Sequence, residues 1–145
     1  MLSSNIVLRS RSCLAILSIL LATGAAVAQD ACANIEQPMT EALKREYATL
    51  AAAALAGGET PDQIEVNTVL QSGRWSVAYV TPAEVEPGYM FFEEADGKKQ
   101  FKDVWGGLAT ISEQPETAKW AETLGAPADL SACFASLAAS AEDDE

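Results

Sequence analysis

The sequence predicts an α+β domain: an N-terminal helix, a four-stranded antiparallel meander, and two short C-terminal helices packed on one sheet face. Two observations predict this order. Apolar residues recur every three or four positions near both ends of the domain, and they alternate with polar residues between 64 and 105. Short links between the strands favour antiparallel pairing. We expect all three helices to cover the same sheet face, giving a two-layer sandwich.

The first helix is predicted over 37–56. Pro38 suits a position in the first turn, and Gly57-Gly58 ends the helix. One apolar stripe with helical spacing runs along the segment: Met39, Leu43, Tyr47, Leu50, Ala54 and Leu55.

Four strands are predicted over 64–70, 74–81, 89–94 and 100–105. The second strand is the clearest, because Trp75, Val77 and Tyr79 alternate with smaller residues. An acidic loop, 82–88, with a proline near each end separates the second strand from the third. Asp96-Gly97 predicts a tight hairpin between the last two strands.

Two short helices close the domain. The first is predicted over 115–124, and the second follows Asp129, which can cap it. The stripe of the last helix comprises Leu130, Cys133, Phe134, Leu137 and Ala138. We predict one domain over 29–141 and a disordered acidic tail over 142–145.

The N-terminal segment predicts export. Met1–Ser12 carries Arg9 and Arg11, an apolar run follows at 13–21, and Ala26-Val27-Ala28 provides small residues for cleavage. This is the layout of a signal peptide over 1–28, cleaved near Ala28. The alternative is an uncleaved anchor, but the apolar run is shorter than a membrane-spanning helix requires. We therefore expect a periplasmic or secreted protein without stable membrane insertion.

The charge of the mature chain favours some partners over others. All 21 Asp and Glu residues but only seven of the nine Lys and Arg follow residue 28, a formal net charge of −14. Such a surface repels nucleic acid and anionic lipid, so a basic protein is the better partner. The alternative is that acidity only keeps the protein soluble.

Two cysteines remain after the predicted cleavage, Cys32 and Cys133. An even number of cysteines in an oxidising compartment predicts one disulfide between them. The alternative is a redox-active thiol pair, but the chain has no Cys-x-x-Cys motif.

Several motifs resemble uncharacterised small secreted α+β proteins of bacteria. These motifs are Trp75–Ala78, the aromatic strand Tyr89–Phe92, Trp105-Gly106-Gly107 and Gly125–Phe134. The order of a helix followed by a meander is also similar to cystatin-like folds. Neither resemblance implies a catalytic motif or an inhibitory loop for this chain.

The reactive residues argue against ordinary catalysis. The chain has no histidine, so Ser-His and Cys-His nucleophile systems are excluded, and it has no phosphate-binding glycine motif. Paired carboxylates are the remaining option, as in a glycosidase. The acidic segment 93–97 does not match a calcium-binding loop. We predict no catalytic residue, no metal site and no cofactor.

The predicted partner-binding residues are Glu84, Glu86, Tyr89, Asp103 and Trp105, with Lys99 or Lys102 answering the charge of Asp103. An acidic loop beside aromatic strands can contact a basic partner. The leading function is a non-enzymatic exported protein-binding module, for example an inhibitor or an immunity protein. The alternatives are a small carboxylate-dependent hydrolase or ligand-binding protein, and an accessory subunit of an envelope complex.

Overall fold

The computed structural model describes residues 30–140. The predicted signal peptide, 1–28, and the predicted tail, 142–145, lie outside the described residues. The described part has the predicted α+β order, with antiparallel strands arranged β1-β2-β3-β4. Its elements are α1 (Glu41–Ala54), β1 (Ile64–Ser72), β2 (Trp75–Pro82), β3 (Gly88–Ala95), β4 (Lys98–Gly106), α2 (Gln114–Thr123) and α3 (Ala128–Ser140). Short 3-10 helices at Pro61–Gln63 and Ile111–Glu113 precede β1 and α2.

Helix α1 begins four residues later than predicted. The hydroxyl of Thr40 accepts a hydrogen bond from the backbone N–H of Leu43, so Thr40 is the N-cap. Pro38 therefore lies before the helix and not in its first turn. Met39, predicted to belong to the apolar stripe, is 40% exposed. The start of the helix is thus set by the Thr40 cap and not by Pro38.

The helices cover both faces of the sheet, so the prediction of two layers is wrong. Tyr47 and Ala51 of α1 pack in one core with Ala78 and Met90. Helices α2 and α3 pack together on the opposite face, where Phe134 of α3 contacts Phe91 of β3. Strands β2 and β3 are apolar on both sides, and a sheet with two apolar faces needs both of them covered.

A bulge in β1 places one extra residue in the strand and changes which positions face each core. The pairing register with β2 shifts between Val66 and Thr68, which leaves Asn67 unpaired. Val66 and Val69 consequently face the α1 core, whereas Leu70 faces the core under α2 and α3. The side-chain amide oxygen of Asn67 accepts a hydrogen bond of 2.9 Å from the Thr81 hydroxyl of β2.

The two predicted cysteines form a disulfide. Cys32 and Cys133 have Cα atoms 4.6 Å apart and are separated by 101 positions in sequence. Cys133 lies in α3 and is fully buried. The bridge ties the first described residues to the last helix. Within 30–140, the helices are too short or too polar to span a membrane.

Candidate functional site

The predicted acidic loop lies at one end of the sheet. The loop 83–87 joins the end of β2 to the start of β3, and Gly88 pairs with Gly106 at the end of β4. The segment 106–113 therefore begins beside the loop, where its Gly107 and Leu108 share a cleft with Glu86 and Pro87. We call these two segments, 83–87 and 106–113, the acidic end. Its acids are Glu84, Glu86 and Glu113, and neither segment contains a Lys or Arg.

A buried carboxylate positions the loop. The backbone N–H of Glu84 donates a hydrogen bond of 2.9 Å to Oε1 of Glu59, whose side chain is 7% exposed. Oε2 of Glu59 has no hydrogen-bond partner in the described structure. Glu59 is a site residue that the sequence prediction missed. No pattern in the sequence distinguishes it from the other acids, because its role depends on a contact across 25 positions.

The two acids of the loop are accessible to solvent. Glu84 and Glu86 are exposed, and between them Val85 is 41% exposed. The ion pairs of the described residues use Glu41, Glu46 and Glu93 and include neither loop acid. Large apolar side chains are also exposed in the second segment, where Leu108 is 46% and Ile111 is 66% exposed. The acidic end thus combines unpaired carboxylates with exposed apolar side chains.

A shallow cleft opens within the acidic end. It has a volume of about 290 Å³ and is lined by Tyr79, Glu86, Pro87, Gly107 and Leu108. The Tyr79 ring is half-buried and stacks in a tilted geometry on Tyr89, with centroids 4.6 Å apart. The cleft therefore has an aromatic wall, a carboxylate and an apolar rim.

Of the predicted residues, Tyr89 is buried in the core beside Tyr79, and Trp105 is half-buried and packs against that core. Tyr89 is 7% exposed, and burial together with the neighbouring Tyr79 raises the pKa of Tyr89 to about 12. Its ring packs edge-on against Phe134 of α3 at 5.1 Å. Trp105 packs against Trp120 at 5.1 Å, and its buried indole N–H has no acceptor among the described residues. Tyr89 therefore backs the Tyr79 wall of the cleft, whereas Trp105 packs toward α2 and α3.

Asp103 sits on β4, away from the loop acids. Its side chain is half-buried and accepts a hydrogen bond of 2.8 Å from the backbone N–H of Val104. Neither lysine predicted to pair with it does so: Lys99 pairs with Glu46, and Lys102 with Glu93. The structure therefore brings Glu84, Glu86, Tyr89 and Trp105 to one end and leaves Asp103 along the strand.

The opposite end of the sheet and β4 hold four of the seven basic residues after position 28, beside the acids Glu93, Glu94 and Asp96. Arg74, Lys98 and Lys99 lie near the turns of the two hairpins, and Lys102 follows on β4. The hydrogen bond and charge of Lys102, with Arg74, hold the pKa of Glu93 below its ordinary value.

Helix α3 ends beside the acidic end, where the Ala138 carbonyl accepts a hydrogen bond from the Ala109 N–H, and the last turn of α3 has no basic residue. The carbonyl end of its dipole adds negative potential there.

The described residues include no group of three or more acids or cysteines placed to hold a metal ion. Comparison of the chain with protein family models, with curated proteins and with solved structures gave no match.

Proposed function

We propose that this protein is an exported, non-enzymatic binding module that holds a cationic segment of another protein at the acidic end. One observation carries the proposal: Glu84 and Glu86 are exposed and unpaired beside exposed apolar side chains, in segments without a basic residue. A partner with Lys or Arg side chains among apolar residues is complementary to this surface.

The charge distribution supports a directed encounter with such a partner. The acidic end contains no basic residue, whereas Arg74 and Lys102 offset the charge of Glu93 at the far end, so negative charge is left unbalanced mainly at the acidic end. The acidic end would attract a cationic partner and orient it before contact. Val85 and Leu108 can then contribute apolar area, which is less sensitive to salt than the charges.

The cleft supports binding in preference to hydrolysis. Glu86 is the single carboxylate among its lining residues, whereas a glycosidase needs two carboxylates facing each other. An inhibitor of a basic enzyme and an immunity protein for a basic toxin are specific versions of the proposed function. Export and the disulfide suit either version when its partner lies outside the reducing cytoplasm.

Binding of a short synthetic peptide that alternates arginine with leucine and glycine tests the proposal. We expect affinity that falls with salt and weakens about three- to tenfold in the double variant Glu84→Gln/Glu86→Gln. The matched control is Glu36→Gln/Glu122→Gln, which removes the same charge from exposed positions away from the acidic end. The control variant should bind like the unmodified protein. Absence of peptide binding, or equal weakening in both double variants, would overturn the proposal.

A further inference from the structure

The cleft beside Tyr79 has the components of a cation subsite. We propose that it receives one arginine side chain of the partner, with the guanidinium stacked on the Tyr79 ring and paired with the Glu86 carboxylate. This inference rests on the proposed function, because it names the group that the acidic end recognises.

At two other places in the molecule, an aromatic ring and a carboxylate already hold a lysine between them. The Lys99 ammonium lies 5.5 Å from the centroid of the Tyr47 ring and pairs with Glu46. The Lys102 ammonium lies 5.8 Å from the centroid of the Trp75 ring and pairs with Glu93 at 3.1 Å. In both, a cation is shared by an aromatic ring and a carboxylate.

Tyr79 and Glu86 form a third aromatic–carboxylate combination, and no cation of the described chain pairs with this carboxylate. No Lys or Arg occurs at 75–97 or 103–118, the stretches that contain the cleft residues. Within residues 30–140 the Glu86 carboxylate belongs to no ion pair, so it is available to a cation from another molecule.

Both walls of the cleft are held in place. Tyr79 is backed by Tyr89, which is itself packed against Phe134. The loop that bears Glu86 is fixed on one side by the hydrogen bond from Glu84 to Glu59. On the other side Gly88 is pressed against β4, since a Cβ there would lie 3.0 Å from the carbonyl oxygen of Trp105. A site held in this way loses little conformational entropy when a ligand binds.

The chemistry of the lining selects a guanidinium. A volume of about 290 Å³ is at the lower limit for small-molecule pockets, which suits one side chain. Glu86 disfavours anions, and a purely apolar group would bury its carboxylate without a partner. Guanidinium is planar and weakly hydrated, so it stacks on a ring and pairs with a carboxylate at less desolvation cost than ammonium.

The first measurement uses the unmodified protein. Nuclear magnetic resonance spectra are recorded during titration with N-acetyl-arginine amide, and in parallel with N-acetyl-citrulline amide, its uncharged analogue. We expect arginine to shift the signals of Tyr79, Glu86 and Leu108 and citrulline to leave them unchanged. Equal shifts with both compounds, or shifts with neither, would contradict the subsite.

The second measurement is a double-mutant cycle that combines changes in the peptide with changes in the protein. With the unmodified protein, replacing the arginines of the cationic peptide one at a time by citrulline should weaken binding about tenfold at one position. With Tyr79→Leu or Glu86→Gln, the same replacement should have an effect of less than about twofold. Glu84→Gln is the control that keeps the tenfold effect.

The outcomes separate the two proposals. Salt-sensitive binding that depends on Glu84 and Glu86, without coupling between any arginine and Tyr79, refutes the arginine subsite and leaves the proposed function standing. Absence of binding by the cationic peptide refutes both. The titration with amino-acid amides needs no variant, so a folding defect in Tyr79→Leu does not remove the test.

Discussion

Replacing Cys32 and Cys133 together by alanine removes the covalent link between the first described residues and α3. The cysteines are 101 positions apart, and for a loop of that length the chain-entropy treatment gives a stabilisation of about 4.7 kcal/mol at 25 °C. A domain of this size has a free energy of unfolding of roughly 5–15 kcal/mol. The bridge is therefore expected to supply a third or more of the stability.

The corresponding change in melting temperature is large. Unfolding entropy is about 2.1 cal/mol/K per residue, or roughly 0.23 kcal/mol/K for a domain of about 110 residues. Dividing the lost stability by this value gives a decrease of about 20 °C in Tm. Urea unfolding of the oxidised protein, the reduced protein and the double variant, followed by tryptophan fluorescence, measures the free energies directly.

The three samples separate two contributions. Reduction removes the loop constraint and keeps both sulfur atoms, whereas the double variant also removes packing around the fully buried Cys133. We expect reduction alone to account for most of the loss. A difference below about 1 kcal/mol between oxidised and reduced protein would refute the argument from loop closure.

Three further predictions concern single side chains. Ser131→Ala should raise the free energy of unfolding by about 1 kcal/mol in urea titrations, because its buried hydroxyl has no hydrogen-bond partner among the described residues and alanine favours the helix; a loss of stability would contradict this. Gly88→Ala should lower the free energy of unfolding by about 1–3 kcal/mol, because its Cβ would lie 3.0 Å from a Trp105 backbone oxygen, whereas Gly106→Ala, with open space around it, is the control that should change little. Glu93→Gln should destabilise the protein at neutral pH, because Lys102 lowers the Glu93 pKa; the difference from the unmodified protein should persist above the ordinary glutamate pKa near 4.5 and disappear as the pH falls through the lower folded-state value. If the loss of stability in Glu93→Gln became larger toward acid pH, the prediction would be wrong.

Periodicity in the sequence was sufficient to predict the order of the elements. The strand predicted over 74–81 is Trp75–Pro82, and the Asp96-Gly97 turn has the positive φ angles, 53° and 73°, of a two-residue hairpin. Layering was not predictable in the same way. Both sides of β2 and β3 are apolar, and the sequence does not specify which helix covers which side.

The loop acids of the candidate site were identified from sequence, but their surroundings were not. The sequence did not indicate that Tyr89 and Trp105 lie on the sheet face that α2 and α3 cover. The support of the loop by Glu59 and the cleft wall formed by Tyr79 depend on contacts between distant segments. Such contacts follow from register and helix packing, which a single sequence specifies only weakly.

The unpaired Asn67 sets the parity of β1. Residues before it and residues after it point to a given core from positions of opposite parity, so the strand changes phase at this single position. Deleting Asn67 would remove one amide from the surface and keep every apolar side chain. Without Asn67, Val66 and Thr68 would be consecutive and could still oppose Val80 and Tyr79, so Ile64 and Val66 would keep facing α1 and Glu65 would stay exposed. The bulge thus accommodates one extra residue in β1 without moving an apolar side chain from one core to the other.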